Sequence, residues 1–508
     1  MVRSRDSEYG AYRGRLTPER DITNTFEEII VMIIVMVFAA AIRLWKLGDW
    51  SFWADEVFTV QDAQRLPGVF TANPVIYMIV RFFIDNLGIS EWSARLGPCI
   101  IGILSVPLIY WPAKKILNAK TGMIACVFLV IHPWHIFWSQ NVRAYSLAFL
   151  LTSLSACLFY LALERDRAGL MFLALLLTIL SIVSYLQAVL LLPALVAYVM
   201  LLMFIPTNIP RGLNEKNLII FFGPFVLGLL LLFIPSVRSY LYSGWGLTEL
   251  ARSPLYILFT LVYCLGVPMS VAALFGGIHS LIYVNRGGLF LICYALVPLS
   301  LLLIISPFLN VHGYYLFFTM PAYLILAAFC ATELLESASR RSKALAAVVI
   351  FIVFIASFSQ TYLYFMVENG GRPKWREALQ SVKYRVDPND TLVVSMPRIA
   401  EYYFRGSSPG SSSREVPVMQ LENVIKQLGV MENLWRGRDQ DIWFALDHMS
   451  LDVLDPNRRF REWLYANCRL VEDFPVYARV ADRTISIWHL EYKKTESEEN
   501  VRDEIFTF

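Results

Sequence analysis

The sequence predicts an α-helical polytopic membrane protein with a C-terminal extracytoplasmic α/β domain, and three observations predict it. Hydrophobic residues make up 57% of the 508-residue chain and charged residues only 17%, a balance too apolar for an ordinary soluble protein. Apolar runs of spanning length recur from about residue 29 to residue 366, with short polar turns between them. After Asn369 the composition returns to that of a soluble domain, in which helix-like and strand-like stretches alternate.

Residues 1–26 are polar and Arg-rich and are expected in the cytoplasm, because positive flanks are retained on that side. Ile29–Trp45 is long for the apolar part of a signal peptide and reads as an uncleaved first span. The first outward loop, about 46–94, is expected to hold two short surface helices, one opening at Trp53-Ala54-Asp55-Glu56 and one at Asn73-Pro74. Lys114-Lys115, Glu164 to Arg167, Arg211 with Lys216, Arg286, and Arg340-Arg341 with Lys343 mark successive cytoplasmic turns, which gives about eleven spans within a membrane domain over 27–366. An odd number of crossings places an α/β domain, 367–492, outside, followed by a charged tail over 493–508. In that domain Trp375–Arg385, Leu421–Trp435 and Pro456–Ala466 read as helices, and Thr391–Ser395, Asp441–Leu446 and Thr484–Leu490 as strands. The expected location is the plasma (inner) membrane.

The net charge of +3 is small, and nothing in it points to nucleic acid. Six of the seven cysteines lie in apolar runs and only Cys468 in the polar C-terminal part, which leaves no disulfide within the outer domain and no zinc-like spacing. No repeat of fixed period is visible.

Charge placement is more telling than charge balance. Outward span ends should be poor in positive residues, yet Arg43, Lys46, Arg81, Arg95 and Arg143 all fall at or near them. The partner that suits several arginines around an apolar pocket is an oxyanion, above all a phosphate carried by a lipid. Arg43 and Lys46 read equally well as snorkelling to headgroups. Arg95 follows Glu91 at i,i+4 spacing, so it is either that acid's ion partner or a phosphate ligand. Arg143 has no acid near it in sequence and is the first choice for the phosphate. Asp55 stands among aromatic and bulky apolar residues, where burial would raise its pKa and suit it to act as a base. The plainer reading is that Asp55 and Glu56 open an interfacial helix. His132 and His135 lack nearby carboxylates and read as interfacial packing rather than a metal site. Trp134 and Trp138 read as interface anchors.

Taken together, Trp53-Ala54-Asp55-Glu56 after the first span, Pro74 with Tyr77, Glu91 with Arg95-Leu96, and Ser139-Gln140 with Arg143 to Leu147 resemble a known family in their order and spacing. It is that of the C-type membrane glycosyltransferases related to protein O-mannosyltransferases, bacterial aminoarabinose transferases and lipopolysaccharide-core glycosyltransferases. Tyr314-Tyr315 with Met320-Pro321 resembles a late-span segment of that family, and Lys374 to Ala378 resembles the opening of the outer domain of bacterial members. The specific match covers roughly the first third of the chain.

The resemblance implies transfer of a sugar from a polyprenyl-phosphate carrier to an acceptor hydroxyl outside the cytoplasm, with inversion and without a metal or other cofactor. The acceptor is a glycan, lipid or protein. In that scheme Asp55 is the general base, and Glu56 orients it or the sugar. Arg143, with Arg95 and Arg81, faces the donor phosphate, and Trp53, Asn73, Tyr77, Tyr145, His312 and Tyr314 line the pocket. Two positions depart from the pattern: Asn73 replaces a His or Lys before Pro74, and Gly313 stands where an arginine often precedes the tyrosine, leaving His312 as the alternative phosphate contact. Three rival readings remain: a ligase or polymerase acting on a lipid-linked glycan, a transporter or flippase, and an inactive lipid-binding scaffold. The absence of an internal repeat and of paired broken spans weighs against a transporter.

Overall fold

The computed structural model describes residues 24–66, 73–205, 209–238, 253–405, 416–436, 440–478 and 481–491. Helix Asn24–Leu44 opens it, followed by helices Ala54–Arg65 and Pro74–Leu87, the two surface helices that the sequence predicts in the first loop. Seven helices among the described residues are long and apolar enough to cross a membrane, and nine if each of two bent pairs is one span. The bent pairs are Ala119–Val130 with Pro133–Ser139, at 64°, and Pro254–Leu265 with Val267–Ile282, at 99°.

Each bend has a local cause. Pro133 and Pro268 remove backbone donors, and Gly266, at φ 82°, reverses the chain where a side chain would be strained. The count of about eleven spans is therefore not reached by length and composition. Helix Ala168–Ser184 is too short for the criterion, and Asn24–Leu44 carries Glu27, Glu28 and Arg43.

Burial ranks the helices. Tyr145–Arg165 and Gly313–Glu336 are 89% and 94% buried along their apolar windows, so they form the centre of the bundle, apolar on every face. Glu215–Phe233 and Arg340–Met366, at 11% and 22%, lie at its rim, and their exposed Leu and Phe side chains suit a lipid surface.

The C-terminal domain is built on a five-stranded sheet. Its strands are β1 (Thr391–Val394), β2 (Val418–Gln420), β3 (Ile442–Asp447), β4 (Arg469–Phe474) and β7 (Ile485–Leu490), in the order β2-β1-β3-β7-β4. β5 (Tyr477–Ala478) and β6 (Ala481–Asp482) form a separate small hairpin. β1 pairs in parallel with β2 and β3, while β7 runs antiparallel to β3 and β4. β1 and β3 are buried throughout, as parallel strands covered by helices must be.

This domain packs on the first loop. Helix Pro397–Arg405 lies against Ala54–Arg65, and the Phe52 N–H donates to Tyr403 Oη at 2.6 Å. The sheet module and the Asp55-Glu56 segment therefore share one end of the helix bundle.

Candidate active site

Trp53 is extended (φ −99°, ψ 172°), and the helix begins at Ala54. Glu56 reaches back to accept the Trp53 N–H at 3.4 Å, so the acid three residues in closes the helix start. Successive helical residues lie about 100° apart around the axis, so two adjacent acids face different ways. Asp55 keeps 40% of its side chain exposed, and Glu56 is entirely buried. The aromatic burial expected for Asp55 thus belongs to Glu56.

Two buried guanidinium groups hold Glu56. Arg95 donates to it through Nε at 2.8 Å and Nη2 at 2.7 Å, and Arg372 through Nε at 3.3 Å. The Val142 N–H adds a bond at 3.1 Å. Burial opposes the negative charge, but Arg95 and Arg372 outweigh it, so the Glu56 carboxyl lies below its ordinary range and is ionised. The other Arg95 donors reach the carbonyls of Leu47, Trp50 and Ser51. All five N–H groups of Arg95 are engaged, so none is left for a phosphate. Its acidic partner is Glu56 rather than Glu91, whose carboxylate instead accepts from Arg376 at 3.2 Å and Tyr403 at 2.8 Å.

The turn Gln140–Ala144 carries Arg143 to Asp55 and is fixed residue by residue. Gln140 Nε2 donates to the carbonyls of Arg43 and Trp45, and its Oε1 accepts from Tyr364 at 3.0 Å. Asn141 Oδ1 accepts from Trp53 Nε1 at 3.2 Å, and Val142 donates to Glu56. Arg143 Nη2 comes within 3.8 Å of Asp55 Oδ2, with 27% of the arginine side chain exposed. Burial works against its charge, but Asp55 overcomes this and holds the guanidinium above its usual value. The phenols of Tyr145, Tyr77 and Tyr185 lie within electrostatic reach of Arg143, and Tyr314 and Tyr315 feel both Arg143 and Asp55. Tyr145 stacks on Trp138 at 3.6 Å, and Tyr314 stacks on His312 at 4.7 Å.

Asp55, Arg143, Tyr77, Tyr145 and Tyr314 therefore form one cluster, which Trp53 meets through Asn141 and His312 through the Tyr314 ring. Asn73 sits in the left-handed region (φ 75°) just before the Pro74 helix. Arg81 does not join them: it pairs with Asp85 at 3.1 Å on the surface of its own helix. Arg43 does not snorkel either. It is fully buried, donating to Val130 and Leu129 carbonyls and meeting His135 Nδ1 at 2.9 Å. His132 bonds the Leu265 carbonyl, so both histidines bind structural partners inside the bundle. Trp138, 5% exposed, is an inner wall rather than an interface anchor.

Sequence reasoning missed Arg372, Tyr185 and Tyr315. Arg372 carried a usable signal, a positive charge at the outward end of the last span, of the same kind that singled out Arg143.

Part of the sequence and the whole fold are similar to known membrane proteins. Residues 71–242 match the family model described as dolichyl-phosphate-mannose-protein mannosyltransferase. The structure is similar to ArnT from Cupriavidus metallidurans in the apo state, with TM-score 0.56 and 12% identity over 91% of this chain and 99% of that one. It is also similar to the same protein bound to undecaprenyl phosphate, with TM-score 0.54 and 13% identity over the same shares. The archaeal oligosaccharyltransferase AglB from Archaeoglobus fulgidus, in complex with an inhibitory peptide and a dolichol-phosphate, gives TM-score 0.56 and 10% identity over 84% of this chain and 70% of that one. No curated protein sequence matches the chain. The fold expected from the sequence is thus the fold these structures share.

Proposed function

We propose that the protein transfers a sugar from a polyprenyl-phosphate donor to an acceptor hydroxyl on the extracytoplasmic side of the membrane, with inversion. The observation that carries this reading is the Asp55 carboxylate 3.8 Å from the Arg143 guanidinium, with the phenols of Tyr77, Tyr145 and Tyr314 beside them. An acid and a cation so placed can act on the two ends of one displacement. The acceptor oxygen attacks the anomeric carbon, and its proton passes to Asp55. The bond from that carbon to the phosphate oxygen breaks, and the electron pair stays with the leaving phosphate. Negative charge grows there as the bond lengthens, so Arg143 stabilises the transition state more than the ground state. Attack and departure on opposite faces of the ring give inversion. In this reading no metal takes part.

Glu56 and Arg95 supply the frame rather than the chemistry. Tyr77, Tyr145 and Tyr314 offer faces and hydroxyls to the sugar. The family model and the shared fold support the reading, as do the undecaprenyl phosphate and dolichol-phosphate in the names of two similar structures.

The test is Asp55→Asn. Transfer should fall by about 100-fold or more, the scale of general-base catalysis, while undecaprenyl phosphate still binds. Normal turnover by that variant would remove Asp55 as the base. Mass spectrometry of the phosphate-linked sugar lipid that copurifies with the unaltered protein would identify the donor.

A further inference from the structure

Arg372 lies 316 residues from Glu56 in the chain and next to it in space. It follows the last membrane helix, Arg340–Met366, and precedes the first helix of the outer domain, Trp375–Lys383. The turn that delivers it needs glycine: Gly370 has φ 63°, and a Cβ there would overlap the Trp50 ring. The guanidinium is 1% exposed and sits between the rings of Trp50 and Phe137, each 5.5 Å away. Nη2 donates to the Gln140 carbonyl at 2.6 Å, Nε to Glu56, and Nη1 to Tyr364 Oη at 3.3 Å and the Gly370 carbonyl at 2.9 Å.

These bonds close a ring around the turn that carries Arg143. Arg372 grips Gln140 at the start of the turn, Glu56 grips Val142 in its middle, and Arg372 grips Glu56. Arg143 is the next residue, and it pairs with Asp55. The side chain that locks the ring comes from the junction with the outer domain, outside the membrane helices and the first loop.

We propose that Arg372 is a positioning residue that sets the Arg143 turn for the donor phosphate, and so makes phosphate binding depend on how the outer domain is seated. This rests on the functional reading above. Lysine is the informative replacement, because it keeps the positive charge beside Glu56 but cannot reach Glu56, Gln140 and Tyr364 together. Tyr364→Phe is the milder companion; it keeps the ring and removes one partner each from Arg372 and Gln140.

The test uses the full-length protein in detergent and compares two measurements across the unaltered protein and both variants. Hydrogen exchange over residues 138–145 should quicken about tenfold in Arg372→Lys and less in Tyr364→Phe, with residues 146–165 unchanged, as loss of charge-assisted bonds predicts. Binding of undecaprenyl phosphate should weaken by about the same factor, because a guanidinium that wanders must be ordered again on binding. Unchanged exchange over 138–145 in both variants would overturn the proposal. So would unchanged lipid-phosphate affinity in a variant whose turn has loosened. A uniform rise in exchange over the whole protein would assign Arg372 to stability alone. If the unaltered protein does not bind undecaprenyl phosphate, the functional reading fails by itself, and the exchange comparison still decides whether Arg372 holds the turn.

Discussion

Asp55 and Glu56 are neighbours in sequence and opposites in environment. One side keeps a solvent-reachable acid, and the other keeps a fully buried acid held by two guanidinium groups. Glu56→Ala should cost about 3 to 5 kcal/mol, because it strands Arg95 and Arg372 as buried cations without their counter-ion; a shift of the thermal midpoint in detergent measures it. The pH dependence has a definite sign. The folded-state pKa of Glu56 lies below its unfolded value, so its contribution is present above about pH 4.3 and is lost as the pH falls through the folded value. Acid titration of the midpoint should show this loss, and Glu56→Gln should flatten it. Arg143→Ala is expected to weaken binding of the phosphate-linked donor by about 2 kcal/mol, the low end for removing one partner of a charge pair, since Arg143 is partly exposed. Unchanged affinity by calorimetry would move the phosphate site elsewhere. Both Asp55 and Arg143 could be picked out in the sequence, Arg143 by a positive charge at an outward span end and Asp55 by a carboxylate among aromatic residues. The role of Arg95 was not, because local spacing offered Glu91, whereas the fold brought Glu56 from 39 residues away.

Short segments show how local packing is set. Gly313 begins the 3₁₀ segment Gly313–Thr319, and a Cβ there would stand 2.7 Å from Thr260 Cβ and 2.8 Å from the Ile257 carbonyl. The arginine that often occupies this place in the resembled family has no room against helix Pro254–Leu265, which accounts for the departure. Gly313→Ala should destabilise by about 1 to 3 kcal/mol through overpacking, read as a drop in thermal midpoint. In the outer domain, His448 lies 2.8 Å from Asp482 and 2.7 Å from Ser486, an arrangement that looks catalytic on paper. Ser486 is 3% exposed on β7, which pairs with β3 on one side and β4 on the other, so the trio ties helix His448–Leu454 and the β5–β6 hairpin to the sheet. Ser486→Ala should cost about 1 kcal/mol of stability and leave transfer intact. The main strands of this domain could be read from short apolar runs rich in β-branched and aromatic residues. β2 and β4 could not, being short or half-exposed and recognisable only once their neighbours are in place.

Hydropathy made the bundle legible because lipid imposes one rule on every span, whereas the seating of the outer domain on the first loop depends on pairings more than 280 residues apart. Ser51 Oγ donates to Glu377 at 3.0 Å and accepts the Arg376 N–H at 3.1 Å. Arg376 reaches Glu91, and Tyr403 stands between the Phe52 N–H and Glu91. These contacts fasten the stretch leading into the helix that carries Asp55 and the start of helix Glu91–Leu108, so the C-terminal domain and the first loop should lose structure as one unit. In the unaltered protein, proteolysis of the outer domain and loss of tryptophan fluorescence are expected at one temperature. Tyr403→Phe removes an acceptor from Phe52 and a donor from Glu91, at a cost of about 1 to 3 kcal/mol concentrated in the seam. Together with Arg376→Ala it should split the transition, with the outer domain cut several degrees before the fluorescence changes. A single coincident transition in the double variant would show that the seam is held elsewhere.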